Sequence, residues 1–362
     1  MVSKLETKKL NSIGLAILAA SLYGISAPVS KLLLVELSPT FMAALLYLGA
    51  GFGMLMVNAI KILLKRERVE ARMTIRELPY VVGMILLDVA APIFLMLGLT
   101  MTTSSTASLL NNFEIVATSM IALFIFKEAV GKRMWVAIVL ITLSSVILSV
   151  DDFGSLSFSM GSLFVVLACI CWGFENNCTR MLSLKDPLQI VVVKGFGSGL
   201  GALLITWYRQ DIKGSFMYVG IALLLGFVAY GLSIYFYIKA QRALGAARTS
   251  AYYAAAPFIG VIISWIVLKE NISNTFLVSL GIMLLGTYFA VSEDHAHRHV
   301  HESARHEHKH SHDDGHHGHT HEFETIKNSS HNQSQEHSHE HVHDGIEHVH
   351  KHMPDLHHRH SH

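Results

Sequence analysis

Ten stretches of this chain are apolar over a length that crosses a bilayer, and only short polar interruptions separate them. The hydrocarbon layer requires about 20 mostly apolar residues per helix. Segments 12–34, 38–64, 77–99, 105–126, 131–150, 159–182, 187–207, 215–239, 248–268 and 274–292 each meet that requirement. Ten spans leave no room for a soluble domain before residue 293. In lipid every backbone N–H and C=O has to find its partner inside the protein, which makes the spans helices. The expected fold class is therefore an all-α integral membrane protein. The first run, preceded by Lys4, Lys8 and Lys9, continues through Pro28 to Leu34 and reads as a span rather than a signal peptide.

Orientation follows from the positive charges, which concentrate in short cytoplasmic loops. With the N-terminus inside, the inside segments hold seventeen Lys or Arg. These are Lys4, Lys8 and Lys9, six between Lys61 and Arg76, then Lys127, Lys132, Arg133, Arg180, Lys185, Lys239, Arg242 and Arg248. The outside loops hold Arg209, Lys213 and Lys269. Both termini are thus expected in the cytoplasm, in a multi-pass protein of the inner (plasma) membrane.

The chain also repeats itself. Tyr23-Gly24 followed by Lys31 recurs 149 residues on as Trp172-Gly173 followed by Arg180. Pro39 with Gly49, Gly51 and Gly53 recurs 148 residues on as Pro187 with Gly197, Gly199 and Gly201. Phe126-Lys127-Glu128 and Asp151-Asp152 recur 142 residues on as Leu268-Lys269-Glu270 and Glu293-Asp294. Five spans per copy is an odd number, so the second copy enters the membrane from the opposite side. Inverted repeats of this kind build transporters with the cargo site near the midplane. The expected organisation is a cytoplasmic N-terminus at 1–11, a first repeat at 12–150, a second at 159–292, and a tail at 293–362.

On these paired landmarks, each copy closing with Lys-Glu after its fourth span, residues 12–292 resemble the ten-span EamA family of the drug/metabolite transporter superfamily. The resemblance implies a carrier coupled to protons or another gradient, often an exporter of metabolites, with a central cavity between the two halves. It does not name the cargo.

Ionisable groups in the hydrocarbon layer cost at least ~2.5–3.5 kcal/mol each, so those present face partners or a wet cavity. Asp88, Glu114 and Glu175 are the mid-span carboxylates, and Lys194 also lies deep in its span. Asn111, Glu114 and Thr118 fall on one helical stripe, with Asn112 beside it. Asn176 and Asn177 follow Glu175 directly. These residues, Asp88, Asn111, Asn112, Glu114, Glu175, Asn176, Asn177 and Lys194, are the candidates for cargo binding and proton coupling. Cys171, Glu175 and Cys178 share a face that would suit a soft metal, but cysteines in a span more often fill space. Glu175 is expected to pair with Lys31 or to meet cargo, whereas Lys31 and Arg180 at span ends can also snorkel. Tyr230, Tyr235, Tyr237, Tyr252 and Tyr253 suit either a cavity wall or an interface anchor.

All 24 histidines lie between His295 and His362. Imidazole suits zinc, nickel, copper and cobalt, and the alternating His-x-His runs nominate His295, His297, His299, His306, His308, His310, His316, His317, His337, His339, His341 and His343 as metal ligands. With few large apolar side chains the tail is expected to be disordered. No cofactor is required by the spans. The partners expected are a small-molecule or ion substrate, the lipid bilayer and transition-metal ions, with a homodimer left open and no nucleic acid. An enzyme is not expected, because no nucleophile has a base partner and no histidine lies in a span. The leading expectation is a secondary exporter of a small metabolite with a metal-binding tail. The rival is a divalent transition-metal carrier for zinc, nickel or cobalt.

Overall fold

The computed structural model describes residues 2–64, 73–126, 130–152, 157–182, 185–244, 249 and 252–292, and in the tail 296–300, 304–310, 337–343 and 347–351. Among these, nine helices are long and apolar enough to cross a membrane, and a tenth apolar helix, Ala256–Leu268, is shorter. The first half runs α1 (Val2–Gly24), α2 (Ser26–Leu33), α3 (Pro39–Leu63), α4 (Leu78–Met101), α5 (Ser104–Leu110), α6 (Phe113–Phe126) and α7 (Lys132–Ser149). A small hairpin, β1 (Val150–Asp152) with β2 (Ser157–Phe158), leads to the second half. That half runs α8 (Met160–Leu182), α9 (Pro187–Tyr208), α10 (Phe216–Leu225), a π-helical segment (Gly226–Leu232), α11 (Ser233–Leu244), α12 (Ala256–Leu268) and α13 (Asn274–Val291).

The two halves reproduce each other's packing. The third span (α4) packs on the sixth (α8), and the eighth (α11) packs on the first (α1). The fourth (α6) packs on the sixth, and the ninth (α12) on the first. The second span meets the seventh (α3 with α9), and the fifth meets the tenth (α7 with α13). Exchanging the repeats converts each of these contacts into another member of the set, as two inverted copies require. The repeated glycines explain part of the pattern. A Cβ on Gly24 would lie 2.8 Å from the Ala256 carbonyl oxygen, and one on Gly173 would lie 2.7 Å from the Ala117 Cβ. The same small residue in each copy lets the first span close on the ninth and the sixth on the fourth.

Several spans are interrupted. Span one breaks between α1 and α2 at Ile25. Span four breaks at Asn111–Asn112, and span nine breaks at Ala254–Ala255 just ahead of Pro257. The fourth and ninth spans therefore open at corresponding places in the two copies. Span eight carries the π-helical segment where Gly226 rests on the Leu46 carbonyl of α3. Breaks of this kind survive in a membrane only where protein or a cavity satisfies the freed backbone groups. Large apolar side chains such as Phe124, Leu204, Trp207 and Phe216 are exposed on the outside of the helices, where acyl chains would cover them.

Beyond α13 the described residues form four short strands: β3 (Ala296–Val300), β4 (Ala304–His310), β5 (His337–His343) and β6 (Glu347–Lys351). β3 pairs antiparallel with β6, and β4 with β5. Alternation of His with other residues has the period of a strand, and backbone pairing needs no apolar core. In this register His297 stands opposite His350, His299 opposite His348, His306 opposite His341, His308 opposite His339 and His310 opposite His337. His343 stands opposite Ala304. The candidate ligands His295, His316 and His317 lie outside the described residues.

Candidate functional site

The intramembrane charges meet where the halves touch. Asp88, near the middle of α4, is fully buried, and Glu175 on α8 is 2% exposed. Lys194 on α9 lies between them, its Nζ 2.9 Å from Asp88 Oδ2 and 2.9 Å from Glu175 Oε1. The Tyr47 hydroxyl of α3 donates to Asp88 Oδ1 at 2.8 Å, and the Thr179 hydroxyl donates to Glu175. Three elements from two halves thus converge on one ammonium. The charges point into the protein, away from the acyl chains.

Glu114 occupies a second position beside this cluster. Because span four is interrupted at Asn111–Asn112, Glu114 lies in the first turn of α6 rather than in mid-helix. The N-terminus of a helix carries partial positive charge that favours a carboxylate. Asn176 Nδ2 of α8 donates to Glu114 Oε1 at 2.6 Å and contacts the Thr118 hydroxyl at 3.3 Å. The predicted stripe of Asn111, Glu114 and Thr118 is therefore not one helix face: the break separates Asn111 from the other two, which share Asn176. Asn111 faces Cys169, whose Sγ lies 3.6 Å from the Leu110 carbonyl.

Other candidates serve the backbone. Asn112 donates to the Leu109 carbonyl at 3.0 Å and contacts Thr287 of α13, which steadies the break. Asn177 donates to the Gly173 and Thr118 carbonyls. Glu175 pairs with Lys194, not with Lys31. Lys31 instead caps the carbonyls of Leu99 and Thr102 at the end of α4, the latter at 2.8 Å. No group of three His, Cys, Asp or Glu is arranged around a metal position among the described residues, and Glu175 pairs with Lys194.

Aromatic rings from both halves pack against one another. Tyr23 packs edge-on against Tyr230, with centroids 5.8 Å apart, and lies 5.9 Å from Tyr253. Tyr47 lies 5.4 Å from Tyr230, whose hydroxyl accepts from Ser26 at 3.2 Å. Of the five tyrosines singled out from sequence, Tyr230 and Tyr253 stand here, with Tyr237 behind Tyr253 at 4.9 Å. Tyr235 is engaged elsewhere, by Lys61 at 2.6 Å, and Tyr252 packs on the Ala16 and Ala240 cluster. Tyr23, Tyr47 and Ser26 escaped the sequence reading, although Tyr23 is a landmark of the repeat. Tyr23 and Ser26, with Ser108, Asn111 and Pro257, line a cavity of about 10 Å³, room for one water-sized molecule.

The two halves also join at the loop after α12. Glu270, in the loop after α12, accepts from the backbone N–H of Ser104 at 2.7 Å and of Ser105 at 2.8 Å, and from the Ser105 hydroxyl at 2.6 Å. Ser264 Oγ meets Ser104 Oγ at 2.9 Å in the same knot. One carboxylate from the second half thereby clamps the start of span four in the first half. Hydrogen bonds to a charged group contribute ~1.5–3 kcal/mol each. Glu270→Gln should therefore raise the open fraction at this end about tenfold or more. The check is the rate at which an impermeant maleimide, applied from the Glu270 side, labels S108C in a background without the native cysteines; an unchanged rate means that Glu270 does not hold the closure.

Comparison with known proteins agrees with this architecture. The EamA-like transporter family matches the chain twice, over residues 10–150 and 159–292. A relative from Methanothermobacter thermautotrophicus (strain Delta H), described as an uncharacterized transporter, is 27% identical over 291 residues, covering 75% of this chain and 83% of the relative. A protein of known crystal structure shares the fold at a TM-score of 0.55 and 14% identity, covering 79% of this chain and 96% of that one. The matched segments coincide with the two halves whose contacts exchange under the repeat, and the chain belongs to the EamA-like transporter family.

Proposed function

We propose that this protein is a secondary exporter of the cytoplasmic membrane that moves a small metabolite by alternating access, with both termini in the cytoplasm. The observation that carries the reading is the cluster of Asp88, Lys194 and Glu175 at the junction of the halves, with Glu114 beside it at a helix break. A structural ion pair needs one acid per base. Here two carboxylates share one ammonium, and a third, Glu114, accepts from the neutral amide of Asn176; the surplus of acids suits groups that exchange protons or cargo.

The tail supports an added role in holding metal. Five opposed positions of the two antiparallel pairs match histidine with histidine. Zinc, nickel, copper and cobalt are the ions such imidazoles suit. The rival reading, a divalent-metal carrier fed by the tail, rests on the same feature. Deleting residues 295–362 separates them in proteoliposomes and cells. A metabolite exporter keeps its basal flux without the tail and loses only metal-dependent modulation, whereas a metal carrier loses metal tolerance together with flux. Loss of all solute flux on truncation, with the protein still folded, counts against the exporter reading.

A further inference from the structure

We propose that Lys61, Tyr235 and Lys239 form a docking site for the phosphate headgroup of an anionic phospholipid, at the end of the membrane where spans two and eight finish. The inference concerns a lipid partner and stands apart from the exporter reading.

The site is built from one ring and two ammonium groups. Lys61 lies in the last turn of α3, and its Nζ donates to the Tyr235 hydroxyl of α11 at 2.6 Å. The same Nζ is 4.7 Å from the centre of the Tyr235 ring, and Lys239, one helical turn further along α11, brings its Nζ to 5.3 Å from that centre. An aromatic ring attracts each ammonium, but it neutralises neither. Among the described residues no carboxylate pairs with Lys61 or Lys239, and the Tyr235 hydroxyl gives its own proton to no acceptor. Three donors gathered without an acceptor complement the oxygens of a phosphate.

The surroundings favour a lipid over a soluble anion. Phe52, Met56, Ile60 and Leu63 fall at i, i+4, i+8 and i+11 on α3 and are all exposed, so an apolar stripe leads along the helix to the turn that carries Lys61. Acyl chains cover such a stripe, and the headgroup joined to them comes to rest at its end. Lys61 is half-buried there, and Lys239 is exposed on the neighbouring helix. The sequence adds charge of the same sign, since Lys65, Arg66, Arg68, Arg72 and Arg76 follow Lys61 before span three and outnumber Glu67, Glu70 and Glu77. Basic groups between spans on a cytoplasmic face receive anionic headgroups, and this is the end expected to face the cytoplasm. One phosphate held here ties α3 of the first half to α11 of the second.

The test uses the purified full chain in detergent, titrated with phosphatidylglycerol, with phosphatidylcholine of the same acyl chains, and with inorganic phosphate. Native mass spectrometry reads the bound lipid, and the unfolding temperature is followed in parallel. Each basic group near an anionic surface gives roughly a fivefold gain in affinity, so phosphatidylglycerol should bind about tenfold more tightly than phosphatidylcholine, or better. K61Q/K239Q should abolish that preference, and K61R/K239R should keep it. R76Q/K132Q, which removes two basic groups elsewhere on the same expected face, should leave it unchanged. Should K61Q/K239Q fail to fold, K239Q alone reads the loss, because that exposed side chain makes no hydrogen bond among the described residues. Equal binding of the two lipids overturns the proposal, as does a preference that survives removal of the lysines. An equal loss in R76Q/K132Q also overturns it, by reducing the effect to net charge. Inorganic phosphate that matches phosphatidylglycerol through the same lysines makes the occupant a soluble anion and removes the lipid.

Discussion

Lys194→Met should be the most destabilising single change in the membrane part, costing about 3–5 kcal/mol, the usual result of removing one partner from a buried ion pair. Asp88 and Glu175 would then face each other with the ammonium gone, and Tyr47 and Thr179 supply only neutral donors. Thermal unfolding of the purified protein in detergent reads the loss. Asp88→Asn is the informative contrast. It leaves Lys194 paired with Glu175 and keeps an oxygen for the Tyr47 hydroxyl, so its effect should be well below that of Lys194→Met. Combining Lys194→Met with Asp88→Asn and Glu175→Gln should recover much of the stability, because the charges disappear together. Equal losses from Lys194→Met and Asp88→Asn would mean that the ammonium is not the shared hub.

The spans, their order and the repeat were legible because apolar length and small-residue spacing are local properties of the chain. The ionisable residues were legible for a related reason: in a span, any charge is conspicuous. Their partnerships were not. From sequence Glu175 reads as a partner for Lys31 or for cargo, and only the fold brings Lys194 to it. Glu270 read only as a repeat landmark, since the backbone that it caps at Ser105 lies 165 residues away. The break at Asn111–Asn112 has no proline to announce it, whereas the matching break in span nine precedes Pro257. A helix period drawn through Asn111 to Thr118 therefore predicted one face where the chain makes two half-helices. Tyr23 and Tyr47 were overlooked because a tyrosine in a span fits an interface anchor as well as a cavity wall, and only the ring contacts distinguish them.

Glu114→Gln should abolish or nearly abolish transport while leaving expression and fold intact. The substitution keeps shape, and a glutamine oxygen can still accept from Asn176 Nδ2, so the contact between α6 and α8 survives. What disappears is the negative charge at the helix break, with its capacity to hold a proton or a cation. Hydrogen bonds to a charged group contribute ~1.5–3 kcal/mol, and losing one such interaction with cargo corresponds to roughly 10- to 150-fold in affinity. Proteoliposome exchange with matched protein content measures it, and gel filtration shows whether the fold persists. Glu175→Gln supplies the comparison. Its carboxylate is already tied to Lys194, and removing it leaves a balanced pair with Asp88, so transport should fall less than in Glu114→Gln. If both variants transport normally, the excess negative charge has no part in moving cargo; if Glu175→Gln alone fails, the working carboxylate belongs to the Lys194 cluster and Glu114 only joins two helices.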